Sequence, residues 1–185
     1  PPAIRKIGSP GTAFGNEIMI ADDTLAAVPT GKIGEILVRG ANVMQGYLNQ
    51  PEETAKTISP DGWLRTGDLG YLDQDGYVFV SGRIKELIIK GGENIAPREI
   101  DEALLEHEAV LEAAAFAVPC ENYGERVEAC IRLKEQVHAS ASDLLAHCQT
   151  RLGKFKSPDT IHILEDLPKG PSGKVQRLKL FGLVY

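Results

Sequence analysis

The sequence predicts an α+β chain in two parts: a mostly β stretch, then a compact unit of helices and strands on a small mixed or antiparallel sheet. Three observations carry this. Before residue 83 the apolar runs are short, rich in β-branched residues and punctuated by glycine. No helix of more than a few turns is evident before residue 96. After it the order reads helix, strand, strand, helix, strand, the plan of a unit built on a small sheet.

In chain order, NEIMIA (16–21) and GEILVRG (34–40) read as strands. NQPEETAKTI opens a short helix, with Pro51 near its first turn and Glu52 and Glu53 at its positive end. GYLDQDGYVFVSG is a hairpin, two apolar-aromatic runs joined by Asp73-Gln74-Asp75-Gly76. PREIDEALLEH sets Pro97 at a first helical position and Ile100, Ala103 and Leu104 on one stripe. VLEAAAFAVP (110–119) is a nearly unbroken apolar run, hence a buried strand. ERVEACIRLK alternates, with Val127, Ala129, Ile131 and Leu133 on one face and Glu128, Arg132 and Lys134 on the other. SASDLLAHCQTRLG is a capped helix with Leu144, Cys148 and Leu152 in register and Gly153 as its stop. DTIHILEDLP supplies a last short strand, and Leu183-Val184-Tyr185 carries no readable signal. The change of texture falls near residues 82 to 86, giving domains 1–83 and 84–185 joined at a hinge-like point rather than a tether.

Composition narrows the function. The chain has 185 residues, 43% hydrophobic and 25% charged, which is globular and not disordered. A net charge of −6 argues against a nucleic-acid binder while leaving room for a local anion site. Ala113 to Pro119, the longest apolar stretch, is far short of the roughly 20 residues of a membrane helix, and PPAIRKIGSPG lacks the order of a signal peptide. Cys120, Cys130 and Cys148 form no CxxC pair and read as the reduced thiols of a cytoplasmic protein. His107, His138, His147 and His162 show no ligand spacing, so no protein-held metal is expected.

Four segments can carry chemistry. In DGWLRTGDLG, Asp68 can face outward as a two-acceptor clamp for paired hydroxyls such as those of ribose, or bond its own turn backbone. Arg83, at the end of the hairpin, can grip the same sugar or form a salt bridge with Asp68. In IIKGGENIAP, Gly91-Gly92 can make a tight turn or let a thin ligand pass close to the backbone, and Lys90 beside them can be merely solvated. In PKGPSGKVQR, Lys174 rides on a flexible, cationic Pro/Gly/Ser loop, which GxxxxGK[ST] does not match, so it is not a P-loop.

The order GEILVRG, GYLNQPEET, DGWLRTGDLGYLDQDGY, SGRIKELIIKGGENIAPREID and LPKGPSGKVQR resembles the C-terminal third of adenylate-forming enzymes, in their acyl-coenzyme A synthetase branch, from about Gly8 to Leu180. The resemblance implies that residues 1–83 are the last β-rich part of a large domain with a distorted β-barrel, and that 84–185 are a lid. It makes Asp68 and Arg83 the ribose-binding pair, Lys85 the hinge, Lys174 the lysine of adenylation, Lys90 its counterpart in the thioester-forming conformation, and Gly91 and Gly92 the lining of the CoA tunnel. ATP (leaving as AMP) with Mg2+ held by phosphates and the larger domain, coenzyme A and a small carboxylic acid are the implied reactants. Carrier-protein docking and a luciferase-like use of the adenylate are the competing readings.

Nothing in the chain resembles the family's Ser/Thr/Gly-rich phosphate loop. The expectation is therefore a fragment that lacks ligase activity alone, needs the N-terminal domain of the same polypeptide, and self-associates through exposed sheet edges. Lys174 lies in a PxxxxGK setting similar to sites that lysine acetyltransferases modify in this family, and acetylation would remove its charge.

Overall fold

The computed structural model describes residues 5–185 and divides between Lys85 and Glu86 into two units. In the first, β1 (Gly11–Thr12), β2 (Asn16–Ala21), β3 (Gly34–Gly40), β4 (Leu64–Leu72) and β5 (Tyr77–Arg83) form an open antiparallel sheet in the order β1-β5-β4-β3-β2, not a closed barrel. Alternate residues of the strands meet on one face, where Ile20, Ile36 and Val78 are buried with Ile18, Val38, Leu72 and Val80 around them. The hairpin turn follows from its carboxylate: Asp73 Oδ1 accepts from the amides of Asp75 and Tyr77, each at 2.9 Å. Between β3 and β4, α1 (Pro51–Thr57) has Pro51 in its first turn with Glu52 and Glu53 at the positive end of the dipole.

The second unit begins with the hairpin β6 (Ile88–Lys90) and β7 (Glu93–Ile95), then α2 (Pro97–Leu105), β8 (Val110–Cys120), β9 (Gly124–Leu133), α3 (Ala141–Lys156), β10 (Thr160–Ile163) and the short α4 (Phe181–Val184). Its sheet runs β10-β9-β6-β7, with β8 also pairing β9; only β9–β10 is parallel, so the sheet is mixed. Ser140 caps α3 in a reciprocal box with Asp143, and the backbone breaks at Gly153 (φ 73°), where the sequence places the stop.

Both faces of this sheet are covered. Ala115, Val127, Ala129 and Ile131 pack with Ile100 and Leu104 of α2 and Leu144 and Cys148 of α3. The opposite face, with Ala114, Phe116, Val118 and Cys130, packs on Leu167 and Leu180 of the C-terminal segment. This explains the unbroken apolar run of β8. It also changes the meaning of the alternation in β9. The face carrying Glu128 is not a solvent face: Glu128 is fully buried, bonded by His162 Nε2 at 2.7 Å, Arg126 Nε at 2.8 Å and the Tyr185 hydroxyl at 2.9 Å. Tyr185, unread in the sequence, thus helps to close that face.

Candidate functional site

In the first unit the site grows from a bulge. Leu37 pairs with Arg65 and Glu35 with Leu69, so residues 66 to 68 stand opposite Ile36 alone. Gly67 takes up the excess at φ 71°, a region that favours glycine. Glu35 holds the distortion in place. Only 5% exposed, its carboxylate accepts from Arg65 at 2.9 and 2.7 Å and from the Gly67 amide at 3.1 Å. Thr66 Oγ1 donates to the Ile36 carbonyl at 2.7 Å and accepts from the Asp68 amide at 3.1 Å.

Asp68 emerges from this bulge opposite Arg83, with Oδ1 3.0 Å from the arginine Nε. The bulge amides of Gly67 and Asp68 are met by Glu35 and Thr66, while the carboxylate meets arginine. The pair remains open to water, Asp68 32% and Arg83 64% exposed, and such a pair contributes at most about 1 kcal/mol to stability. A carboxylate has about four acceptor positions, so Asp68 keeps acceptor capacity for vicinal hydroxyls beside the ion pair.

Lys85 is exposed in a 3-10 turn (Ile84–Glu86) at the division between the units. Lys90 differs from the solvated lysine that its sequence context allows. It is buried, with Nζ 3.5 Å from Asp159 Oδ2 and 5.4 and 6.0 Å from the ring centres of Phe155 and Tyr123. Those rings and the half-exposed carboxylate compensate its lost hydration. Gly91 and Gly92 join β6 to β7 with φ values of 59° and 84°, the left-handed pair that a two-residue hairpin turn requires. The Gly91 amide donates to the Tyr123 carbonyl at 2.9 Å, and a Cβ at Gly91 would come 3.2 Å from the Tyr123 ring. At Gly92 a Cβ would meet nothing within 4 Å.

Lys174 is exposed on a loop better tied than its Pro/Gly/Ser composition suggests. The amides of Gly170, Gly173 and Gln176 donate to the carbonyls of Lys174, Gly170 and Pro168 at 2.8, 2.9 and 2.7 Å. Just beyond it Arg177 is mostly buried. Its Nη2 lies 2.6 Å from Asp101 Oδ2, its Nε 3.0 Å from Glu86 Oε2, and its Nη1 donates to the Ala115 carbonyl. Burial pushes the Asp101 carboxyl up, against the Arg177 bonds that pull it down. Glu35, Asp101 and Arg177 were not singled out from the sequence. Two of them carried a signal: Glu35 sits among the apolar residues of a strand, and Asp101 beside Ile100 on a helix whose stripe is buried. A charge in such a place needs a partner.

Residues 1–48 match the AMP-binding enzyme family and residues 99–174 the AMP-binding enzyme C-terminal domain. The chain belongs to the AMP-binding, adenylate-forming enzymes. Among its relatives in that family, a sulfoacetate–CoA ligase of Cupriavidus necator is 51% identical over 97% of this chain and 35% of its own length. An oxalate–CoA ligase of Saccharomyces cerevisiae is 40% identical over 96% of this chain and 33% of its own length. ATP-bound MatB of Rhodopseudomonas palustris superposes with a TM-score of 0.94 at 35% identity, over 98% of this chain and 37% of that one. The chain thus spans about a third of the length of the AMP-binding relatives it matches.

Proposed function

We propose that the chain is the C-terminal portion of an AMP-forming acid–thiol ligase, which joins a small carboxylic acid to coenzyme A through an acyl-adenylate. The observation that carries this reading is Asp68: a three-residue bulge braced by a buried glutamate presents a carboxylate to water beside an arginine, in a chain whose relatives are CoA ligases. Asp68 accepts the two ribose hydroxyls of ATP and Arg83 assists it. In the first half-reaction the acid's carboxylate attacks the α-phosphorus and pyrophosphate leaves with the bonding electron pair. Two anions must approach for this. The ammonium of Lys174 offsets their repulsion and follows the charge into the transition state.

In the second half-reaction the CoA sulfur attacks the acyl carbon and AMP departs. Lys85 serves as the pivot that withdraws Lys174 between the two steps, and Lys90, Gly91 and Gly92 act in the thioester-forming step. Among the described residues no group of three or more His, Cys, Asp and Glu is placed to hold a metal. Mg2+ commonly binds through one or two carboxylates and substrate phosphates, so the ion is assigned to the nucleotide phosphates and the larger domain, and no step is routed through it.

The test is ATP–pyrophosphate exchange by the full-length ligase and by the 185-residue chain. Lys174→Ala should lower exchange about 100-fold or more while thioester formation from supplied acyl-adenylate persists, and the 185-residue chain alone should show no exchange. Exchange unchanged in Lys174→Ala would overturn the reading.

A further inference from the structure

We propose that Arg177 is the positioning residue for Lys174, with Asp101 its buried anchor and Glu86 its outer arm. The inference rests on the adenylation role of Lys174 given above. Between the buried Leu167 and the mostly buried Arg177, Val175 packs half-buried on the cluster of Phe116 and Leu167 and Lys169 meets Glu112 at 3.0 Å, while residues 171–174 at the tip are exposed. Its backbone bonds close the loop on itself and do not fix it to the sheet. A lysine ammonium at the tip is only as well placed as the base of that loop, and a misplacement of about 1 Å can cost on the order of 100-fold in rate.

Arg177 adds the directional tie at the C-terminal end of the loop. Its planar fork meets Asp101 through Nη2 at 2.6 Å and Nη1 at 3.3 Å, while Asp101 Oδ1 also accepts the Ala115 amide at 2.6 Å. With Nη1 on the Ala115 carbonyl as well, α2, β8 and the end of the Lys174 loop are locked through one carboxylate–guanidinium pair. Nε donates to Glu86, the residue that follows Lys85, at 3.0 Å. A buried ion pair of this kind is weak evidence for stability, since apolar residues of similar volume often serve as well. Its geometry does something apolar packing does not: it fixes direction. A single guanidinium ties the end of the loop that bears the reacting lysine to Asp101 and Glu86 at once.

The two arms differ in exposure, 12% for Asp101 and 27% for Glu86, so Glu86→Ala leaves the buried pair intact while Arg177→Lys alters it. In Glu86→Ala, Arg177 keeps Asp101. In Arg177→Lys the charge stays, but an ammonium cannot span both carboxylates. In the full-length ligase each variant should lower kcat for pyrophosphate exchange by about ten-fold, with the KM for ATP within about two-fold, because the ribose site is untouched. Thioester formation from supplied acyl-adenylate and CoA should be unchanged. In the 185-residue chain the amides of Gly170, Gly173 and Gln176 should exchange hydrogen faster than in the parent.

Equal losses in both half-reactions would mark a merely structural role and overturn the proposal, as would unchanged amide protection. If Lys174→Ala abolishes exchange while Glu86→Ala and Arg177→Lys do not affect it, the positioning role falls and the functional reading stands. If Lys174→Ala itself leaves exchange intact, the reading falls and takes this role with it.

Discussion

Glu35 accepts the Gly67 amide at 3.1 Å, so a buried carboxylate on β3 fixes the backbone from which the next residue, Asp68, projects. The contact links two motifs that look unrelated along the chain. One is a strand with a charge where an apolar residue is expected, and the other a Gly-Asp step in a bulge.

Replacing that carboxylate should therefore act twice. In Glu35→Ala the Gly67 amide and the Arg65 guanidinium lose their acceptor, which should cost about 1–3 kcal/mol by urea unfolding of the 185-residue chain. In the full-length ligase the same variant should raise the KM for ATP as Asp68 loses its fixed backbone. A loss of stability with KM unchanged would separate Glu35 from nucleotide binding.

The turn at Gly91-Gly92 serves two readings that one substitution can part. Both residues need left-handed φ values, and asparagine tolerates that region better than other non-glycine residues. A Cβ at Gly92 meets nothing within 4 Å, so the cost of Gly92→Asn is the backbone strain of its φ of 84°, on the order of 1 kcal/mol. If the pair also lines a passage for the CoA arm, the thioester half-reaction should slow while pyrophosphate exchange holds. Both half-reactions at parent rates would leave the glycines with the hairpin alone.

Acid stability should report on the buried face beneath Tyr185. Burial alone would push the Glu128 carboxyl up, but the bonds from His162, Tyr185 and Arg126 outweigh it and hold it below the ordinary value of 4.5. A carboxyl depressed in the folded state adds stability above the unfolded value, and that stability is lost as pH falls through the folded one. Parent and Glu128→Gln chains unfolded in urea from pH 7 to pH 3 should thus differ most at neutral pH, and their curves should converge below about 4.5. A difference that widened on acidification would contradict this pairing.

What could be read from the sequence follows physical rules that act locally. Turn chemistry gave the β4–β5 hairpin through Asp73 and Gly76, and stripe and cap gave α2 and α3 through Pro97, Ser140 and Gly153. The same logic misled where burial was set by distant chain. Lys90 lies in a strand of three residues, too short to show a period, and its surroundings come from Tyr123, Phe155 and Asp159. The second face of β9 is covered by segments with little regular structure around Leu167, Leu180 and Tyr185, which leave no repeating pattern. The roles proposed for Asp68, Arg83 and Lys174 rest on their order along the chain rather than on any local pattern. The contacts of Glu35 with Gly67 and of Arg177 with Asp101 span 32 and 76 residues of sequence, beyond the reach of any local pattern.

Lys90 provides the last test, because its burial makes a charge and a packing role separable. Methionine matches its unbranched stem and packs well against aromatic rings. In Lys90→Met the partner carboxylate, Asp159, is 48% exposed and can be hydrated, so no charge is left stranded in the interior. Stability measured by urea unfolding should therefore shift by no more than about 1 kcal/mol. If the ammonium acts in the thioester-forming step, release of AMP from supplied acyl-adenylate and CoA should fall about ten-fold or more in the full-length ligase, with pyrophosphate exchange retained. A variant as stable as the parent and equally fast in that step would confine Lys90 to packing.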